Sequence, residues 1–169
     1  SAALVGAGRT RRILLSDTLL SEYSDNEIEV ILAHELAHHV HRDIGKGILI
    51  EFVLLLASGF VAATALNAAW PWLGLEGPAD PAGLPMLVLA AGAVMLAATP
   101  LVLAFSRANE RRADAFAIEL TRGHDAFVTA MRRLKAQNLE EEHPSPASVW
   151  LFYSHPPIEE RIAAVRLSR

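Results

Sequence analysis

The stretch that decides the fold is His34-Glu35-Leu36-Ala37-His38, in a chain of 169 residues without cysteine. Histidines four residues apart lie on one face of a helix, so both imidazoles can bind the same ion. Zinc accepts imidazole nitrogen at about 2.0–2.1 Å, and a catalytic zinc site keeps one position for water. Zinc lowers the pKa of that water to about 7, and Glu35 projects where it can take the proton. The motif therefore predicts one zinc ion per chain and a hydrolytic site. The alternative is a solvated, histidine-rich helix face.

The residues around the motif predict a mainly helical chain. Ser24 and Glu27 form the pattern of a capping box, which predicts that a helix starts there and carries the motif. This helix could continue into the apolar stretch that follows. Other predicted helices cover 109–121, 124 to about Leu139, and 158–167 after Pro157. A β-branched and apolar run over Arg11–Ser16 predicts a small edge strand or hairpin near the N-terminus.

Two long stretches are almost free of charge, 48–70 and 84–105, in a chain that is 52% hydrophobic. Each has the roughly 20 apolar residues that a helix needs to cross about 30 Å of hydrocarbon. Pro and Gly break the chain between them, and Trp70 and Trp72 are typical of a membrane interface. The sequence therefore predicts a two-helix transmembrane hairpin and a lipid bilayer as partner. Two buried helices of a large soluble core are the alternative.

The charge distribution predicts which side of the membrane each segment faces. The loop between the two stretches has no Lys or Arg, whereas Arg42 and Lys46 precede the first and Arg107, Arg111 and Arg112 follow the second. By the positive-inside rule, both outer flanks are cytoplasmic and the loop is not. The active site of this integral membrane protein is therefore expected on the cytoplasmic side. A net charge of -4 gives no support to a nucleic-acid partner.

A third zinc ligand must come from elsewhere, because His41 and Ile44 stand where the metzincin pattern has glycine and histidine. The candidate carboxylates are Glu51, Glu76, Glu110 and Glu119. Glu110 is predicted, since it follows the second span directly and two crossings return the chain to the membrane face of His38. Asp114, one turn further, is suited to orient a zinc-bound imidazole through its second nitrogen. Glu119 is the second choice, and a surface ion pair is the alternative role for Glu110.

A second histidine motif lies near the C-terminus, at Tyr153-Ser154-His155-Pro156-Pro157. Pro156 keeps His155 extended just before a predicted helix. An imidazole held there could donate to the oxyanion of a tetrahedral intermediate. A cap or a surface histidine is the alternative. The remaining histidines are interpreted as structural or solvent-facing: His39, His41, His124 and His143.

Several blocks, in this order and spacing, resemble the CAAX prenyl protease 1 family, to which the HtpX-type membrane proteases are more distantly related. The blocks are Gly8-Arg9-Thr10-Arg11-Arg12-Ile13-Leu14-Leu15-Ser16-Asp17-Thr18-Leu19-Leu20, Val30-Ile31-Leu32-Ala33-His34-Glu35-Leu36-Ala37-His38, Ser106-Arg107 with Glu110, Ala113-Asp114-Ala115-Phe116-Ala117, and Tyr153-Ser154-His155-Pro156 before Glu160-Arg161. Members of this family are integral-membrane zinc endopeptidases. Full-length members carry further membrane helices upstream, so the resemblance implies that this chain is a fragment.

The resemblance implies a helical zincin of the gluzincin type. It implies a single domain over 1–169, with the two membrane spans inserted between the helix of the motif and the helix of the third ligand. The implied zinc ligands are His34, His38 and Glu110, with Glu35 as general base. Asp114 is implied behind the ligands, and His155 is implied as a site residue.

The sequence thus predicts hydrolysis of a peptide bond in a peptide or protein substrate. The substrate would be held extended along the Arg11–Ser16 strand. A membrane metal transporter or sensor is an alternative, although such a protein would place ionisable ligands near the middle of the bilayer, where only Glu51 comes close. A non-catalytic zinc-binding scaffold is another.

Overall fold

The computed structural model describes residues 2–6, 10, 12–138, 141 and 144–168. The chain forms two compact units. The first comprises Ser1–Ile44 and Leu103–Arg169, and the second comprises Gly45–Val102. Strands β1 (Ala2–Val5) and β2 (Arg12–Leu15) form a two-stranded antiparallel sheet in which Ala2 faces Leu15. This confirms the small hairpin predicted near the N-terminus. Gly8, Arg9, Arg11 and His143, which entered the sequence predictions, lie outside the described residues.

Helices make up most of the described chain. They are α1 (Asp17–Glu22), α2 (Asp25–Val40), α3 (Asp43–Ala69), α4 (Leu84–Thr121), α5 (His124–Asn138), α6 (Pro146–Phe152) and α7 (Ile158–Leu167), with a 3₁₀ turn at Pro81–Gly83. The predicted bounds of α7 are confirmed, as is the start of α5 at His124. The predicted end of α5 at Leu139 lies outside the described residues. The short helix α6 was not predicted.

Helix α2, which carries the histidine motif, begins as the capping box predicts. The Ser24 side chain accepts from the backbone N–H of Glu27, and the backbone N–H of Ser24 donates to Glu27 Oε2 over 2.8 Å. These bonds satisfy two of the backbone donors that a helix start leaves without partners. The first turn of α2 is therefore held by its own sequence.

The expectation that α2 could continue into the first apolar stretch is wrong. Helix α2 ends at Val40, His41 caps it, and Arg42 adopts a left-handed backbone conformation with φ 56°. A left-handed residue directs the chain away from the helix axis and ends the helix. Helix α3 then begins immediately at Asp43. The break therefore separates the motif helix from the apolar helix.

Helix α4 joins two elements that the sequence predicted as separate, 84–105 and 109–121. It runs without interruption over 38 residues, with Pro100 inside. Nothing between Phe105 and Asn109 breaks a helix, so the apolar stretch continues directly into the segment with Glu110. The helix ends at Thr121, before Gly123. A Cβ on Gly123 would lie 2.8 Å from Val30 Cγ2, so only glycine allows α2 to approach this closely.

The core of the first unit packs against the motif helix. Helix α2 contacts α5 and β1, and α5 contacts α7. Phe127 of α5 is fully buried at the centre. Its cluster also contains residues of α2, α4, α5 and α7: Val30, Ala33, Ala117, Ile118, Val128, Met131, Ile158, Ile162 and Val165. The motif helix is therefore held on one side by a continuous apolar cluster.

Helices α3 and α4 each contain an 18-residue window apolar enough to cross a membrane. Only 11% and 6% of these windows are buried within the protein. Within the described residues they are therefore not core helices of this chain, which was the alternative to the membrane prediction. The observed helices include both predicted spans up to Ala69 and Phe105. That residues 1–169 form a single catalytic domain stays a prediction.

Candidate metal centre

Three side chains from two helices converge in the first unit. His34 and His38 lie one turn apart on α2, and Glu110 lies on α4. The Nε2 atoms of the two histidines are 3.2 Å apart. Glu110 Oε2 lies 3.4 Å from His34 Nε2, and Glu110 Oε1 lies 3.3 Å from His38 Nε2. The two histidines of the motif therefore lie beside Glu110, the carboxylate that was predicted as the third ligand.

The spacing of these atoms fits a zinc ion. Bonds of about 2.0–2.1 Å at tetrahedral angles place neighbouring ligand atoms about 3.3 Å apart. The three separations here are 3.2, 3.3 and 3.4 Å. Among the residues that the structure describes, these three side chains form the group of His, Asp and Glu whose ligand atoms lie close enough to share one ion. That they bind zinc stays a prediction.

A carboxylate also lies beside the other ring nitrogen of each histidine. Asp114 Oδ1 is 2.9 Å from His34 Nδ1, and Asp43 Oδ2 is 3.0 Å from His38 Nδ1. A carboxylate in this place favours the tautomer with the proton on Nδ1, which leaves Nε2 as a lone pair. Two lone pairs and a carboxylate then face one point. Such a donor set requires a positive charge between its atoms, which a cation or added protons can supply.

The pKa shifts within the cluster also indicate that positive charge is favoured between these side chains. Burial disfavours the charged form of His34, but Asp114 and Glu110 outweigh this effect and raise its pKa to about 9. Glu110 is also the main cause that raises the pKa of His38, against burial and with help from Asp43. A bound cation would replace these protons, because only a neutral imidazole can act as a ligand.

Glu110 is buried, although it carries a charge. Burial by itself would raise the pKa of its carboxyl group, but the contacts with His34 and His38 lower that pKa well below the ordinary value. Its Oε2 atom is buried and makes only long contacts in the described part of the chain, 3.4 Å to His34 Nε2 and 3.7 Å to the guanidinium group of Arg161. A buried carboxylate oxygen that makes no short hydrogen bond is costly, and a bound ion would offset that cost. The alternative role of Glu110 in a surface ion pair does not fit this burial.

Two arginines hold the carboxylates that face the histidines. Arg161 of α7 donates to both oxygens of Asp114, over 2.7 and 2.6 Å, and this pair is buried. Arg112 of α4 donates to Asp43 Oδ1 over 2.7 Å. The sequence indicated Arg112 only as a cation flanking the second span, and it predicted no place at this site for Asp43, Arg112 or Arg161. Arg161 did stand in a quoted block, and Asp43 follows His38 by five residues, but neither pattern indicates a contact.

Glu35 and His155 lie at the edge of the cluster. Both line a cavity of about 170 Å³ together with His34 and Glu110. His155 Nε2 is 3.5 Å from Glu110 Oε1, and its side chain is 60% exposed. Ser154 Oγ lies 2.8 Å from the other ring nitrogen of His155. The structure thus brings all six predicted site residues into one region, while the roles of Glu35 and His155 stay predictions.

The other candidate carboxylates are exposed, and His41 has a ring contact of its own. Glu119 is exposed on α4, and Glu51 and Glu76 are exposed residues of the second unit. His41 makes an edge-on ring contact with Phe116, at 5.7 Å between centroids. Arg107, one of the flanking cations, donates to the carbonyl groups of Val149 and Tyr153 and so holds α6.

The helical fold, with the histidine motif on one helix and a facing carboxylate on another, is that of a zincin-like protein. The chain belongs to peptidase family M48, whose family model matches residues 1–168. It is 36% identical over 168 residues to a Bacillus subtilis (strain 168) protein named "Uncharacterized metalloprotease YhfN", covering 96% of this chain and 39% of that protein. It is 32% identical over 186 residues to the protease HtpX of Stenotrophomonas maltophilia (strain K279a), covering 99% of this chain and 62% of that protein.

Among solved structures, the crystal structure of S. mikatae Ste24p has the same fold. The TM-score is 0.77 at 24% sequence identity, over 98% of this chain and 41% of that chain. The resemblance drawn from the sequence blocks is therefore confirmed. The chain spans about two fifths to three fifths of the length of these relatives.

Proposed function

We propose that this chain carries the catalytic centre of a membrane-embedded, zinc-dependent endopeptidase. The observation that supports this most is the convergence of His34, His38 and Glu110, with separations that suit one tetrahedral ion. Family membership supports the protease class, and the buried oxygen of Glu110, which makes only long contacts, supports a cation. We propose these three residues as the metal ligands, within a single domain over residues 1–169.

A zinc ion in this site would lower the pKa of a water molecule and polarise the scissile carbonyl group. Glu35 takes the proton of the attacking water and passes it to the leaving amine. It is free for this task because the two imidazoles already occupy the ligand positions on α2. Asp114 orients His34 through Nδ1 and is itself held by Arg161. The balance of the reaction is one water consumed and one peptide bond broken.

His155 is proposed as the donor to the oxyanion that forms when water attacks the carbonyl. Its exposed ring borders the same cavity as Glu35, where a scissile carbonyl group could reach both side chains. A positioned imidazole there acts on charge that exists only in the transition state. His155 is not needed as a metal ligand, since two imidazoles and one carboxylate leave a tetrahedral ion one position for water.

We expect His155→Phe to retain zinc and to lose activity mostly in kcat, by roughly 10²–10³. The ring of phenylalanine fills the same space but cannot donate a hydrogen bond. Steady-state kinetics on a peptide substrate and metal analysis of the purified protein measure the two effects. A His155→Phe protein that had lost its metal would make His155 a ligand and contradict the proposed role.

The substrate is proposed to bind in an extended conformation along β2. Within the residues that the structure describes, β1 and β2 pair only with each other, so one edge of β2 keeps backbone groups that a substrate strand could pair with. Ile13 and Leu14 are exposed on this strand. Adding a strand to a sheet edge provides affinity through main-chain hydrogen bonds, whatever the substrate sequence.

Helices α3 and α4 are proposed to span the membrane, with the metal centre on the cytoplasmic side. The apolar windows of both helices support the spans. The absence of Lys and Arg between the spans, and their presence on both outer flanks, supports the orientation. The loop over residues 70–83 would then face the opposite side.

A cysteine at position 79 tests this topology, because the chain has no cysteine of its own. We expect Ala79→Cys to react with a membrane-impermeant thiol reagent on intact cells or spheroplasts. Ala136→Cys, on the exposed face of α5, is the matched control and should react only after lysis. Labelling of position 79 only after lysis would overturn the orientation. Full solubility without detergent would overturn the spans themselves.

A further inference from the structure

We propose that Asp43 is a positioning residue for His38 and that Arg112 holds Asp43 in place. The inference rests on the proposed zinc site, and it adds two residues that the sequence did not place at that site. In the structure, His38, Asp43 and Arg112 form a chain of contacts from imidazole to carboxylate to guanidinium. The carboxylate contacts His38 Nδ1, which is the ring nitrogen that points away from the proposed metal position.

Both oxygens of the Asp43 carboxylate lie within hydrogen-bond distance of a neighbouring side chain. Asp43 Oδ2 accepts from His38 Nδ1 at 3.0 Å, and Asp43 Oδ1 accepts from Arg112 at 2.7 Å. The Asp43 side chain is only 7% exposed, although it bears a charge. Arg112 also donates to Asn109 Oδ1 over 2.8 Å, which keeps the guanidinium group on the Asp43 side of α4. Both carboxylate oxygens are thus directed at side chains.

The turn between α2 and α3 places Asp43 beside His38. The left-handed conformation of Arg42 directs the chain back, so that a residue five positions after His38 meets its ring. Asp43 is also the first residue of α3, where an acidic side chain commonly interacts with the helix dipole. Asp25 occupies the same position in α2, but it is exposed. A role in the helix start alone therefore does not explain the burial of Asp43.

The other histidine has a similar set of neighbours, although His34 Nδ1 is close to its carboxylate without a well-aligned hydrogen bond. His34 Nδ1 contacts Asp114, and Arg161 donates to both oxygens of Asp114. Each histidine of the motif therefore has a carboxylate beside its Nδ1 atom, and each of these carboxylates accepts a hydrogen bond from an arginine. The two sets of contacts differ in exposure, because the Arg161 side chain is 9% exposed whereas that of Arg112 is 43% exposed. Water screens Arg112 more strongly, so its contribution is the smaller of the two.

A carboxylate behind a ligating histidine acts in two ways. It selects the tautomer in which Nε2 is free to bind the metal, and it increases the basicity of that nitrogen. It also prevents rotation of the ring away from the metal. Removing such a partner typically weakens metal binding by about 10–100-fold. We therefore expect Asp43→Asn to weaken zinc binding by about this factor, and Arg112→Gln to have a smaller effect in the same direction.

The experiment measures zinc affinity by chelator competition in the full-length protein, purified in detergent. Asp43→Asn is compared with Asp25→Asn, which removes the acidic first residue of the other helix. Arg112→Gln is compared with Arg111→Gln, which removes the neighbouring positive charge, paired with the exposed Glu160. The visible spectrum of cobalt(II) in each protein reports ligand geometry, and thermal unfolding without metal shows whether each variant folds.

If the inference is right, Asp43→Asn weakens zinc binding and changes the cobalt spectrum, while both controls match the wild type. The double variant should then bind zinc no more weakly than Asp43→Asn, because Arg112 acts through Asp43. Wild-type affinity and spectrum in both Asp43→Asn and Arg112→Gln would overturn the inference and leave the proposed protease intact. Should Asp43→Asn fail to fold, a wild-type result for Arg112→Gln alone would overturn it. A wild-type protein that bound no zinc would instead overturn the proposed function.

Discussion

Replacing Glu35 by glutamine is expected to remove most peptide cleavage while zinc stays bound at about one ion per chain. Glutamine keeps the shape of the side chain but cannot accept the proton of water at neutral pH. General acid–base catalysis contributes about 10²–10⁴ in rate. The loss should reach the upper part of this range, because the same carboxylate is proposed to protonate the leaving amine. The effect should therefore appear in kcat rather than in metal content.

The measurement combines metal analysis with cleavage of a peptide library in detergent. Glu29→Gln is the matched control, since Glu29 is an exposed residue of the same helix and is not among the candidate metal ligands. This control should keep wild-type cleavage and metal content. Cleavage at the wild-type rate by Glu35→Gln would contradict the hydrolytic mechanism. Transport of zinc into liposomes without any cleavage by the wild type would favour a transporter.

The second large effect is expected for Glu110→Ala, which should lose both tight zinc binding and cleavage. The substitution removes the negative charge among the proposed ligands and leaves two neutral imidazoles. Asp114→Ala, which removes a contact behind His34, should weaken zinc binding only by about 10–100-fold. The order of affinities, wild type above Asp114→Ala above Glu110→Ala, therefore separates a ligand from a residue that orients a ligand.

Equilibrium dialysis at buffered free zinc measures these affinities. Glu119→Ala is the matched control, because Glu119 is an exposed carboxylate of the same helix and was the second choice for the third ligand. It should bind zinc as the wild type does. Full zinc occupancy of Glu110→Ala at nanomolar free metal would exclude Glu110 as a ligand. If Glu119→Ala then lost zinc, the role would pass to that residue.

Local signals in the sequence were sufficient for several elements of the fold. The capping box at Ser24, the start of α5 at His124 and the whole of α7 were predicted and are present. Each depends on residues within one or two helical turns. The break at Arg42 was not predicted, because arginine has no preference for the left-handed conformation that it adopts here. Helix α6 was missed because only seven residues form it.

The residues of the candidate site differ in how far the sequence alone could predict them. His34, Glu35 and His38 follow from spacing on one helix. Glu110 followed from an argument about two membrane crossings, and its place beside the histidines agrees with that argument. No comparable rule exists for Asp43, because its contact with His38 requires the turn at Arg42.

The sequence by itself determined the motif, its helix, the apolar stretches and the chemical class of the candidate ligands, since these depend on neighbours along the chain. Only the tertiary structure decided what stands behind each histidine. Arg112 reaches Asp43 across 69 positions of sequence, and Arg161 reaches Asp114 across 47. Such contacts form because packing of separate helices brings buried charges together, and a buried carboxylate must find a donor to offset its lost hydration. Helix periodicity contains no information about which distant donor that is.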